Sequence, residues 1–247
     1  MTAGRPAPEG NAAVRTFKAR RGRLSATQRT ALEVLGPGVD LPAGPLDALE
    51  VFGRVAPLVL EVGPGFGHAA LAYAAAHAAH DVVAIDVHTR GVAHLVATVA
   101  STGPPNLRVV EGDAVELLAE RLAPGSLAAV HLFFPDPWPK RAHHGRRFVR
   151  PDVVDLVAGR LRPGGSLLVA TDHCGYAKQA RAVLGAHPAL RGGTCPRPPW
   201  RPVAGYEAKA LAAGRPVLEL RYTRTGRDSG AVSPTNAAAN SSRPTTT

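Results

Sequence analysis

The sequence predicts an α/β protein with a parallel sheet flanked by helices. Short apolar runs of β character alternate with longer Ala- and Leu-rich stretches of helical character, which is the pattern of that class. Several runs are apolar at every position, as strands covered on both faces are. Acidic residues stand at the ends of these runs, and ligands of parallel sheets bind at the carboxyl ends of strands.

Along the chain, the strands fall at 58–62 (LVLEV), 81–86 (DVVAID), 107–112 (LRVVEG), 127–134 (LAAVHLFF), 166–172 (SLLVATD) and 216–223 (PVLELRYT). Helices fit between them at 67–79, 89–101, 114–121, 151–161 and 174–186. The first follows a glycine, and the fourth ends near "RPGG", where Pro and Gly cannot extend it. Residues 1–14 and 225–247 are rich in Gly, Pro, Ser, Thr and Ala without a periodic apolar face, the composition of disordered tails. A chain of 247 residues can bury a full core, and one domain is the simplest organisation.

A net charge of +10 and a pI near 10.5 favour an anionic partner, either nucleic acid or an acidic membrane surface. Cys174 and Cys195 form no metal-ligand pattern, and so few cysteines go with a reducing compartment, the cytosol. The N-terminus carries no apolar signal segment, and no uncharged apolar run reaches membrane-spanning length. His143 and His144 lack a partner at metal-ligand spacing, so no metal site is expected.

The stretch "LEVGPGFGHAALA" sets Gly63, Gly65 and Gly67 between the first strand and a helix, where the backbone can turn tightly and approach a ligand. The dinucleotide fingerprint G-x-G-x-x-G needs a glycine where His68 stands, which disfavours a dehydrogenase, and no P-loop lysine follows. Asp86 ends the second strand, placed to accept both hydroxyls of an adenosine ribose. Glu61 suits a ligand with positive charge. Asp113 either accepts from an adenine amino group or caps the next helix.

This conjunction resembles the Rossmann-like, class I S-adenosylmethionine-dependent methyltransferases. The resemblance implies a seven-stranded, mostly parallel sheet with an antiparallel last strand and helices on both faces, and S-adenosylmethionine as cofactor.

After the fourth strand comes "FPDPWPKRAHHGRR". Pro135, Pro137 and Pro139 stiffen the turn and fix the directions of Asp136 and Trp138. Seven Lys or Arg against two Asp lie between Pro139 and Arg162, a surface to which a phosphate backbone fits. The segment closely resembles the signature of bacterial tRNA (guanine-N7)-methyltransferases of the TrmB type. "EVGPGFG", "IDVHTRGV", "LRPGGSLLVATDHCGYA", "GYEAKALAAGRPVLELRYTR" and the basic stretch from Val14 to Leu32 match as well.

The resemblance implies transfer of a methyl group to N7 of a variable-loop guanine of tRNA, guanine 46, by a cytoplasmic monomer or homodimer. It divides the chain into a basic arm and leading helix (15–54) and a methyltransferase domain (55–224). It carries Glu61, Gly63, Gly65, Asp86, Asp113, Ala114 and Asp136 over as cofactor positions, Lys140, Asp172, Ala204, Tyr206 and Glu207 as substrate positions, and Asp136 and Asp172 as catalytic. Asp172 or Glu207 is expected to read the guanine edge. Asp136 is expected either to add negative potential or to bind the methionine ammonium.

One departure is Ala204, where the family usually has Thr; another is Gly112 before Asp113. Two other readings stand beside this one. The first is a methyltransferase of exocyclic base amines, whose motif is D-P-P followed by an aromatic residue. The second is a tRNA- or cofactor-binding relative without activity.

Overall fold

The computed structural model describes residues 16, 24–36, 41 and 44–226. Both expected tails, apart from Thr225 and Gly226, and about half of the expected basic arm, residues 14, 15 and 17–23, lie outside these residues. Ahead of residue 55 the described residues form α1 (Ala26–Thr30), continued by a π-helical turn at Ala31–Leu35, and α2 (Ala48–Phe52). Asp47 caps α2 by accepting from the Leu49 and Glu50 amides.

Seven strands form one sheet: β1 (Leu58–Val62), β2 (Asp81–Asp86), β3 (Leu107–Glu111), β4 (Leu127–Phe133), β5 (Leu161–Thr171), β6 (Leu190–Thr194) and β7 (Leu218–Arg224). Their spatial order is β3-β2-β1-β4-β5-β7-β6. The strands from β3 to β5 pair in parallel, and β7 runs antiparallel between β5 and β6. The apolar runs are continuous because both faces of the sheet are covered. Leu58 and Leu60 enter one core with Ile85, Val130 and Leu132, whereas Val59 enters the other with Val82, Ala84 and Val109.

Helices α3 (His68–Ala76) and α4 (Thr89–Thr102) cover the second face through Ala70, Tyr73, Leu95 and Val96. The first face is covered by α6 (Pro151–Arg160) and α7 (Cys174–Ala186), with Val153, Val157, Tyr176 and Leu184 in its core, and by Leu117 and Leu118 after the short α5 (Ala114–Glu116). Only three residues of the stretch expected as helix at 114–121 are α-helical; Leu117–Arg121 is a π-helical turn.

Three further features differ from expectation. The "RPGG" segment does not merely end α6. It opens β5, and the register against β4 shifts between Leu127 and Ala129 to accommodate it. Strand β6, LRGGT, carries two glycines and buries little beyond Leu190, so it shows no apolar alternation. Helix α8 (Gly205–Ala212) occupies the expected substrate segment.

Candidate active site

The chain reverses direction across the sheet between β1 and β4, and the carboxyl ends of those strands border the crevice where α/β folds bind ligands. The glycine turn leaves β1 there. Gly63, Gly65 and Gly67 all have positive φ, at +68°, +60° and +81°. Gly67 is doubly constrained, since a Cβ on it would stand 2.2 Å from Leu95 Cδ1. The turn is tied to β2: the Gly63 amide donates to Ile85 O at 2.9 Å and the Gly65 amide to Asp86 Oδ2 at 3.2 Å.

Two of the predicted cofactor acids, Asp86 and Glu61, stand at this turn. The Asp86 carboxylate is fixed by Gly65, by the His88 amide at 2.9 Å and by His88 Nδ1 at 2.8 Å. Glu61 is 2% exposed, faces His131 of β4 across the parallel pair, and has its Oε2 without a hydrogen-bond partner among the described residues. His131 Nδ1, also without such a partner, lies 3.7 Å from that oxygen. A buried acceptor of this kind beside an open glycine turn fits a cationic ligand carrying an adenosine, and so fits S-adenosylmethionine. Asp113 caps α5 by accepting from the Val115 amide at 2.8 Å, and Ala114 behind it is buried. Among the described residues no cluster of three or more His, Cys, Asp or Glu is arranged to hold a metal.

Beyond β4 the backbone is strained. Phe134 and Trp138 have φ of +52° and +41°, a region that non-glycine residues rarely enter and that concentrates at functional sites. Asp136 stands exposed between them. The Trp138 indole donates to Thr16 O at 3.3 Å, and the Arg146 guanidinium lies 4.2 Å over its ring. Lys140 is exposed and precedes the 3-10 helix Arg141–Arg146.

The basic run is less uniform than a phosphate-binding surface requires. Lys140, Arg141 and Arg162 are exposed. Arg147 is 2% exposed, and Arg160 donates to Leu118 O at 2.6 Å.

The two carboxylates expected at the guanine edge have different surroundings. Asp172 is partly exposed and accepts from Arg215 Nε at 2.8 Å. It does not cap α7, because His173 does, its Nδ1 accepting from the Tyr176 amide at 3.1 Å. Glu207 is buried and accepts from Arg197 at 2.5 Å and from Arg201 at 3.2 Å. Arg201, itself buried, also binds Glu219 of β7 and lies over the Phe133 ring at 4.6 Å. Burial pushes the Glu207 carboxyl up, but hydrogen bonds from Arg197 and Arg201 outweigh it and hold the carboxyl below its ordinary value.

Tyr206 is 66% exposed, with Lys209 Nζ 5.5 Å from its ring. Ala204 is the N-cap of α8 and has no side chain to satisfy the first amides. An open cleft of about 400 Å³ lies between α8, β6 and β7; none of Glu61, Asp86, Asp113 or Asp136 lines it.

Sequence reasoning missed His131, Arg147, Arg201 and Arg215. His131 sits inside an apolar strand run, a signal that was available; the three arginines lie in Arg-rich segments where nothing local separates a buried guanidinium from a solvated one.

Comparison with known proteins bears on the family and the fold. Residues 55–220 match the family model described as "Putative methyltransferase". A tRNA (guanine-N(7)-)-methyltransferase of Alkalilimnicola ehrlichii is 44% identical over 88% of this chain and 95% of its own, and one of Streptomyces coelicolor is 42% identical over 85% and 81%. Among solved structures, the 16S rRNA methyltransferase KamB superposes with a TM-score of 0.55 at 19% identity, covering 73% of this chain and 94% of its own. The 16S rRNA (adenine(1408)-N(1))-methyltransferase from Catenulisporales acidiphilia gives 0.52 at 18%, covering 77% and 99%. At these identities the superpositions speak for the fold.

Proposed function

The chain belongs to the tRNA (guanine-N7)-methyltransferase family, and on that premise we propose that it methylates N7 of a variable-loop guanine of tRNA, guanine 46, in the cytoplasm, as a monomer or homodimer. The observation that carries the reading is the rigid turn that presents Asp136 between two left-handed residues at the end of β4, next to the glycine turn of β1.

S-adenosylmethionine supplies an electrophilic methyl group on a sulfonium. Guanine N7 carries a lone pair and no hydrogen, so forming its bond to that methyl, as the methyl–sulfur bond breaks and the sulfur leaves as a neutral thioether, would release no proton from the atom and require no general base. The protein's task is alignment, in which proximity and orientation lower the barrier. Glu61 and Asp86, with the glycine turn, would hold the cofactor.

Asp172 accepts the guanine N1-H and 2-amino donors as a pair, and is the better candidate for this edge because Glu207 is enclosed by arginines. Arg215 then leaves Asp172 when the base arrives. Lys140 approaches O6 or phosphate. Asp136 faces the reacting atoms, where its charge favours the positive charge that the base gains, or it accepts from the methionine ammonium. Glu207 holds Arg201 and thereby the start of α8. Ala204 occupies a helix cap, which weighs against a lost activity as the meaning of the missing Thr.

The test incubates the protein with labelled S-adenosylmethionine and unmodified tRNA and identifies the modified nucleoside. 7-Methylguanosine in the variable loop is expected, and methylation of an exocyclic amine would overturn the assignment. Asp136→Ala and Asp172→Ala should abolish turnover with the fold intact; near wild-type rates in both would refute the site.

A further inference from the structure

We propose that Arg147 is a positioning residue for Asp136, holding the Pro137–Trp138 turn to the first turns of α7. The inference rests on the site proposed above, in which Asp136 faces the reacting atoms.

Arg147 follows the 3-10 helix and is among the largest fully buried side chains. Its Nε donates to Pro137 O at 2.8 Å and its Nη2 to Trp138 O at 3.3 Å, the two carbonyls directly after Asp136 in the chain. On its other side, Nη1 donates to Gln179 Oε1 at 2.5 Å and to Gly175 O at 3.3 Å, both on α7. Gln179 is held in turn by its Nε2, which donates to Val149 O at 3.1 Å. The Tyr176 ring lies 5.5 Å from the guanidinium carbon.

No carboxylate forms an ion pair with Arg147 among the described residues, so carbonyl, amide and ring groups alone compensate the buried charge. A planar fork that must satisfy both sides at once fixes the distance between them. Drift of either turn carbonyl leaves part of a buried cation without an acceptor. The left-handed Trp138 is therefore locked where a free loop would relax, and with it the direction in which Asp136 points. In the sequence Arg147 looks like one more phosphate-binding residue of a basic run; its burial rules that role out.

The experiment uses the full chain with Arg147→Lys, which keeps the charge and loses the fork, and Gln179→Ala, which removes the shorter of the two α7 contacts and leaves Gly175 O, without touching the turn. Steady-state kinetics with S-adenosylmethionine and tRNA are combined with acrylamide quenching of Trp138. Quenching is read in a Trp200→Phe background, because the chain has two tryptophans.

Both variants are expected to fold cooperatively, to lose about 10- to 100-fold in kcat with KM for S-adenosylmethionine little changed, and to quench more readily. If Arg147→Lys does not fold, Gln179→Ala alone decides. Wild-type kcat in a folded variant overturns the proposal, and so does a loss of kcat with unchanged quenching, since the effect then bypasses the turn. A wild-type protein that methylates no tRNA sinks the functional reading instead, and quenching then decides the positional claim by itself.

Discussion

Ala204 shows how much one atom decides at a helix start. Its amide neighbours in α8 receive no side-chain acceptor, and Ala204→Thr supplies one. A stabilisation of about 1 kcal/mol is expected, read as a raised urea midpoint with unchanged slope. Glu207 carries a different signature. Its folded pKa lies below the unfolded value, so its pairing with Arg197 and Arg201 contributes fully above the ordinary carboxylate range, about 4.3, and is lost as pH falls through the lowered value. Urea midpoints measured from neutral to acid pH should therefore fall less steeply for Glu207→Gln than for the wild type. At this scale the sequence showed which acids end the strands, because Asp86, Asp136 and Asp172 each close an apolar run. It did not show what they pair with: Asp172 meets an arginine 43 positions away.

The glycine turn separates two costs that composition alone runs together. Gly65→Ala meets nothing within 4 Å and bears only its positive φ, a cost of about 1–2 kcal/mol. Gly67→Ala adds a collision with Leu95 and should lose about 1–3 kcal/mol more, so the two denaturation midpoints should fall in that order. Strands β1 to β4 were legible because burial on both faces demands mostly apolar residues, which Glu61, Arg108 and His131 interrupt singly. Strand β6 was not, because its glycine exists for a neighbour: a Cβ on Gly192 would stand 2.0 Å from Arg221 O, a constraint that lies in β7. The helical phase of α8 was hidden in a segment with few large apolar residues, Glu207 and Ala210 being its buried positions.

For the molecule as a whole, the charge of +10 makes tRNA binding an ion-exchange process, with affinity falling as salt rises. Lys140→Gln with Arg141→Gln should lower the magnitude of the log–log salt slope by about 2 if both side chains touch phosphates, as filter binding over a salt series would show. The order in which the chain is made has its own consequence. Among the described strands β6 pairs only with β7, yet β7 is synthesised after it and must enter between β5 and β6. A nascent chain halted before Leu218 therefore leaves open the edges of β5 and β6 that β7 would pair, and Arg201 lacks the Glu219 carboxylate that anchors it. A message cut short ahead of the codon for Leu218 thus yields a protein with its glycine turn complete but with the helix that starts at Gly205 unsecured, and with exposed edges that favour aggregation or proteolysis.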